Sequence, residues 1–137
     1  MKGTRIWLGC LLLGLMAWSA NARADENQTL ATAKNAIVAV VDSSFVDSQF
    51  KAAMIDDLNA TAELFLMATE ESERAAKNGL YQDALNTAET MIAKTDGCVK
   101  AGAPEIDDWL TLCADAVTVH AKLVLLRQEI AGLIVVE

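Results

Sequence analysis

The sequence has a single proline, Pro104, a single histidine, His120, and a single tyrosine, and only seven of its 137 residues are glycine. So little proline and glycine excludes a Pro/Gly-rich low-complexity chain and removes the turn punctuation that a many-stranded β protein needs. One histidine, with cysteines that pair as a disulfide, cannot supply a zinc-ligand set, and three cysteines fall short of a disulfide-dense scaffold. Basic residues are also scarce, 11 against 19 acids, for a net charge of −8. A surface of that sign repels nucleic acid and anionic lipid and favours a basic partner or plain solubility.

The longest apolar run is at the N-terminus. Lys2 and Arg5 precede an uncharged stretch from Ile6 to Trp18, and an Ala22-x-Ala24 pattern stands before Asp25. This is the three-part layout of a secretory signal peptide, and the run is short for a membrane span. The expected product is periplasmic or secreted, with residues 1–24 removed and 25–137 forming one domain. Lys2, Arg5 and Arg23 would leave with the signal, so the net charge becomes 8 − 19 = −11.

Beyond residue 25 apolar residues recur every three or four positions, which predicts an all-α, single-domain, up-and-down bundle of about four helices. The first is expected over 29–41, with Leu30, Ala33, Ile37, Val40 and Val41 inward. The second starts in Ser44–Asp47, an S-x-x-D signal, and runs to about Lys77 on a stripe of Phe50, Met54, Leu58, Ala62, Phe65 and Thr69. Asn59, a weak helix former, is a potential break. Lys77-Asn78-Gly79 reads as a stop, with Gly79 suited to a left-handed cap. The third helix spans 80–94 with Leu85, Ala88 and Ile92 inward. The fourth spans 104–133, with Pro104 in the first helical position and Glu105, Asp107 and Asp108 at the positive end of its dipole. Its stripe runs Trp109, Leu112, Ala116, Val119, Leu123, Leu126, Ile130, Leu133. A second, Ile106, Leu110, Cys113, Val117, His120, Val124, lies beside it.

Gly79-Leu-Tyr-Gln-Asp-Ala-Leu85 resembles the hinge between the two helices of a tetratricopeptide repeat. The likeness covers seven residues, Met91 stands where that repeat has a later alanine, and no second copy follows. It implies an ordinary helix hairpin, because such arrays need several copies to close a core.

Loss of Cys10 with the signal leaves Cys98 and Cys113, separated by fourteen residues, so C-x-x-C redox chemistry is excluded. In an oxidising compartment the pair reads as a disulfide. On a helix begun at Pro104, Cys113 would sit about 13.5 Å along the axis. The five residues 99–103 reach roughly 17 Å when extended, so the loop spans that climb. Two free thiols and a thiol switch are the alternatives. For the switch, only Lys100 is at hand to favour a thiolate.

His120, on the apolar side of the fourth helix, reads first as a half-buried, hydrogen-bonded side chain. With Met54, Met67 or Met91 it could instead ligate haem or copper. An acidic, exported helical bundle with such a pair resembles the cytochrome b562-like proteins in architecture, which implies noncovalent haem. The chain has neither a methionine near the mature N-terminus, where that family places its ligand, nor a C-x-x-C-H motif. No E-x-x-H, G-x-S-x-G or phosphate-binding glycine loop occurs, so neither an enzyme nor a metal centre is expected. The acids Asp56-Asp57, Glu70-Glu71-Glu73 and Asp107-Asp108 read as solvated surface. The tail Gly-Leu-Ile-Val-Val-Glu either closes the core or offers an edge to a partner or a second copy, and is too short for an anchor.

Three functions follow as expectations. The first is a non-catalytic exported interaction module with an unknown protein partner, the second a haem or copper carrier through His120, the third a thiol sensor through Cys98 and Cys113.

Overall fold

A computed structural model describes residues 26–135. The expected signal peptide, its cleavage site, Cys10 and the last two residues lie outside that range. Helix α1 covers 26–39 and is followed by a 3₁₀ turn at Asp42–Ser44. Then come α2 (Ser48–Glu70), α3 (Arg74–Ala93), a five-residue α4 (Gly97–Ala101) and α5 (Cys113–Leu133). The only extended pairing among the described residues is an isolated antiparallel bridge, Phe45 to Leu110. The fold is an all-α bundle, as the periodicity predicts.

Each long helix buries a seam spaced alternately three and four residues apart. The seams are Leu30, Ala33, Ile37 on α1; Met54, Leu58, Thr61, Phe65, Ala68 on α2; Tyr81, Ala84, Ala88, Met91 on α3; and Ala116, Val119, Leu123, Leu126, Ile130 on α5. That alternation averages 3.5 residues, close to the 3.6 of a helix, so the buried edge stays on one side. The stripe expected for α2 instead takes mostly four-residue steps, each advancing about 40° from the axis line. It leaves the core, so Ala62 and Thr69 are exposed while Thr61 and Ala68 take their places. Burial of Thr61 is tolerated because its hydroxyl donates to the Asp57 carbonyl at 2.9 Å, within the roughly 2.5–3.0 Å usual for such a bond.

Chain direction follows from bonds at the helix ends. Asn78, early in α3, exchanges hydrogen bonds with the backbone of Val135, just past α5. Thr95, just past α3, meets His120, early in α5. These two helices are therefore antiparallel. Lys51, at the start of α2, donates to the Val40 carbonyl after α1, and α3 packs on both α2 and α5. The order is up-and-down, with α2 and α5 parallel.

Several expected boundaries are corrected. Asp47, not Ser44, caps α2, its carboxylate accepting from the Gln49 amide. Helix α2 runs unbroken through Asn59, as its expected span does, but stops at Glu70 rather than near Lys77, and α3 runs through Lys77-Asn78-Gly79. The reason is electrostatic. Glu71 and Glu73 oppose the negative C-terminal end of a continuing helix but suit the positive N-terminus of a new one. Glu71 also accepts from the Glu73 amide, closing the turn. Val41 is exposed rather than inward. The largest correction is at Pro104, which starts no helix: residues 102–112 form an irregular connector and α5 begins at Cys113. Ile106 and Leu112 are therefore exposed, not part of a buried stripe, and Val117 is exposed on α5.

No helix among the described residues is long and apolar enough to cross a membrane. Gly79 lies inside α3, and a Cβ added there would touch nothing within 4 Å. Gly79→Ala should therefore raise the unfolding free energy by about 0.5–1 kcal/mol, read by urea denaturation.

Candidate functional site

The connector is where this chain departs from a plain bundle. Helix α4 ends at Gly102, whose φ of 72° turns the chain out of the helix while its amide donates to the Cys98 carbonyl. The return leg is pinned to two other elements. The Trp109 amide donates to the Lys94 carbonyl at the end of α3, at 2.9 Å. The Val46 amide donates to the Trp109 carbonyl, and the Thr111 amide to the Ser44 carbonyl. Leu110 and Phe45 are buried where these strands of chain meet. The Trp109 ring stacks on Phe50, with centroids 4.8 Å apart and planes 2° from parallel, and Lys94 Nζ lies 5.8 Å from its centroid. Trp109 is thus an anchor for the connector, not a member of the α5 stripe.

Cys98 and Cys113 are brought together, their sulfurs at disulfide-bonding distance and their Cα atoms 5.4 Å apart. The expected geometry is corrected, however. Cys113 is the first residue of α5, so the bridge ties short α4 to the entrance of the long helix, and no loop climbs a helix side.

Asp108 organises the inside of the turn. Its Oδ2 accepts from the Gly97 amide at 3.0 Å and the Glu105 amide at 2.9 Å. The carboxylate thereby holds the start of α4 against the middle of the connector. Contact is so close that a Cβ on Gly97 would overlap the Glu105 nitrogen and the Asp108 carboxylate. Asp108, read from sequence as solvated surface, is buried. Asp96 is buried beside it, and its Oδ2 lies 2.7 Å from Lys100 Nζ. That hydrogen bond and the Asp96 charge hold the Lys100 ammonium above its ordinary pKa, against an opposing effect of desolvation and with lesser help from the Glu105 and Asp108 charges.

His120 is half-buried, and its Nδ1 lies 3.2 Å from the Thr95 hydroxyl. That hydroxyl also lies 3.0 Å from the Ile92 carbonyl, to which it donates its one hydrogen, so Nδ1–H is the donor to Thr95 in this arrangement. Nε2 is the nitrogen left for any ligand. Of the methionines offered as partners, Met54 and Met91 are fully buried in the core and Met67 is exposed on α2.

Between these anchors residues 103–107 project into solvent. Ile106, at 105% relative exposure, stands between the exposed acids Glu105 and Asp107. No protein-family model matches the chain, and neither a curated protein nor a solved structure matches it.

Sequence reasoning missed Asp108, Asp96 and the exposure of Ile106. A signal was available in Asp96-Gly97 and Gly102, which bracket Cys98-Val-Lys-Ala as a one-turn helix with a glycine exit.

Three stability tests follow. Asp108→Ala should cost about 1–3 kcal/mol by leaving a buried amide without its acceptor, and Asp108→Asn, which keeps an acceptor oxygen, should recover most of it. Gly97→Ala should cost about 1–3 kcal/mol through overpacking, opposite in sign to Gly79→Ala. Reduction of the Cys98–Cys113 bridge, which closes a separation of 15 residues, should remove about 3 kcal/mol, read by denaturation with and without dithiothreitol.

Proposed function

We propose that the chain is a non-catalytic, exported interaction module whose docking element is the connector between α4 and α5, presented to a basic protein partner. One observation carries this reading. Ile106 is fully exposed at the tip of a segment that is tied down on both sides. A large apolar side chain on a mobile tail needs no explanation, since single exposed hydrophobes are common. Here the backbone around it is held by Asp108, by Trp109 and by the cysteine pair, so little conformational entropy is lost when the tip is bound.

The chemistry of the partner follows from the flanks. Glu105 and Asp107 are exposed on either side of Ile106, and the sequence as a whole is acidic. An apolar pocket rimmed by lysine or arginine fits this tip, the buried side chain supplying affinity and the charges steering approach. Export rests on the signal-peptide pattern of residues 1–24.

A photo-crosslinking amino acid placed at 106, in cells that make the protein, tests the reading, with Leu66, exposed on α2, as the control position. The expected result is one discrete adduct at 106, identified by mass spectrometry as a basic protein and lost when Glu105→Lys and Asp107→Lys are added. No adduct at 106, or the same adduct from 66, overturns it.

A further inference from the structure

Three carboxylates converge at the root of the connector. Asp96 immediately precedes α4, and Glu105 and Asp108 belong to the connector itself. One oxygen from each lies within 4.8 Å of the other two. Acidic clusters on a surface need no ligand, but two of these three side chains are inside the protein, Asp96 with 8% and Asp108 with 3% of its surface exposed.

The hydrogen bonds of the two buried carboxylates are one-sided. Asp96 Oδ2 is held by the Lys100 ammonium. Asp108 Oδ2 takes both the Gly97 and Glu105 amides. The other oxygen of each, Oδ1, is buried and has no hydrogen-bond partner. Leaving a charged oxygen desolvated and unpartnered is among the more expensive arrangements in a protein. Both atoms are closed to solvent. A cation held through carboxylate oxygens would give such atoms a partner.

We propose that Asp96, Glu105 and Asp108 form a binding site for one divalent cation, with calcium preferred. Oxygens that share a calcium ion at 2.3–2.6 Å are at most about 4.6–5.2 Å apart, and the observed spread fits inside that. Magnesium demands near-ideal octahedral geometry and dehydrates reluctantly, whereas calcium accepts the irregular, carboxylate-rich oxygen coordination that this cluster offers. Zinc favours nitrogen and sulfur ligands, which are not in the cluster. Charge also balances. Three carboxylates and the one Lys100 ammonium leave two negative charges, matched by a single divalent ion. Lys100 serves Asp96 through Oδ2, so the Oδ1 of Asp96, like that of Asp108, has no hydrogen-bond partner of its own. The site does not depend on the docking role of the tip.

The test uses the full folded chain. Calcium chloride is titrated by calorimetry, and terbium, excited through Trp109 next to Asp108 in the chain, reports on the same place by luminescence. One ion per chain is expected, with a dissociation constant on the order of 10⁻⁴–10⁻³ M, as in weak calcium modules. Calcium should displace terbium at lower concentration than magnesium does. Glu105→Gln alters only an exposed side chain of the cluster, and Asp108→Asn keeps an acceptor for the two amides. Each should weaken calcium binding by about tenfold or more, with the circular dichroism spectrum unchanged. No uptake at about 10 mM calcium, above the weakest range known for such modules, overturns the proposal. So does uptake that both variants leave intact, which would mean diffuse attraction to an acidic surface.

Discussion

The Asp108 carboxylate is the constraint on which the connector depends. It is buried, and burying a charge costs several kcal/mol unless hydrogen bonds compensate. Two backbone amides from different segments, Gly97 and Glu105, supply that compensation through one oxygen. Their convergence forces the chain to fold back between α4 and α5, and it requires a residue without Cβ at 97. The cysteine pair then fixes the mouth of the turn, and the Trp109–Phe50 stack fixes its return. Ile106 is left outside, fully exposed at the tip of the turn.

The bundle and the connector solve the same problem by different means. Within α1, α2, α3 and α5 backbone groups are satisfied along each helix, so packing needs only apolar seams and small residues such as Ala84, Ala88 and Ala116. Across 102–112 no helix serves the backbone, and satisfaction comes from distant elements: Lys94 after α3, Ser44 and Val46 before α2. Such long-range bonds make this end of the molecule conditional on the rest being folded. A site built there is assembled by tertiary structure alone, which fits both a presented tip and a cation held by residues from two segments.

Much of the bundle is legible in the residues. Leu30, Ala33 and Ile37, and Ala116 through Ile130, are inward as their spacing predicts. On α2 the phase departs from the expected stripe because a four-residue step drifts, and the Glu70–Glu73 run is a stronger boundary than Asn78-Gly79. The connector departs from its local pattern for a more basic reason. Pro104 followed by acids is a helix start on local grounds, and Trp109, Leu110 and Cys113 have helical spacing. Their actual partners, Phe50, Phe45 and Cys98, are invisible to any local pattern except the cysteine pairing.

What the sequence by itself determined is the class of the fold, four amphipathic segments with too little proline and glycine for anything else, and the pairing expected of two cysteines. It also determined the acidic balance of the chain. What only the tertiary structure decided is which charges are buried. Asp107 and Asp108 are adjacent and chemically identical in sequence, yet one is exposed and the other is inside, bonded to two amides. Solvation depends on the surroundings a residue acquires on folding, and those come from segments far away in the chain.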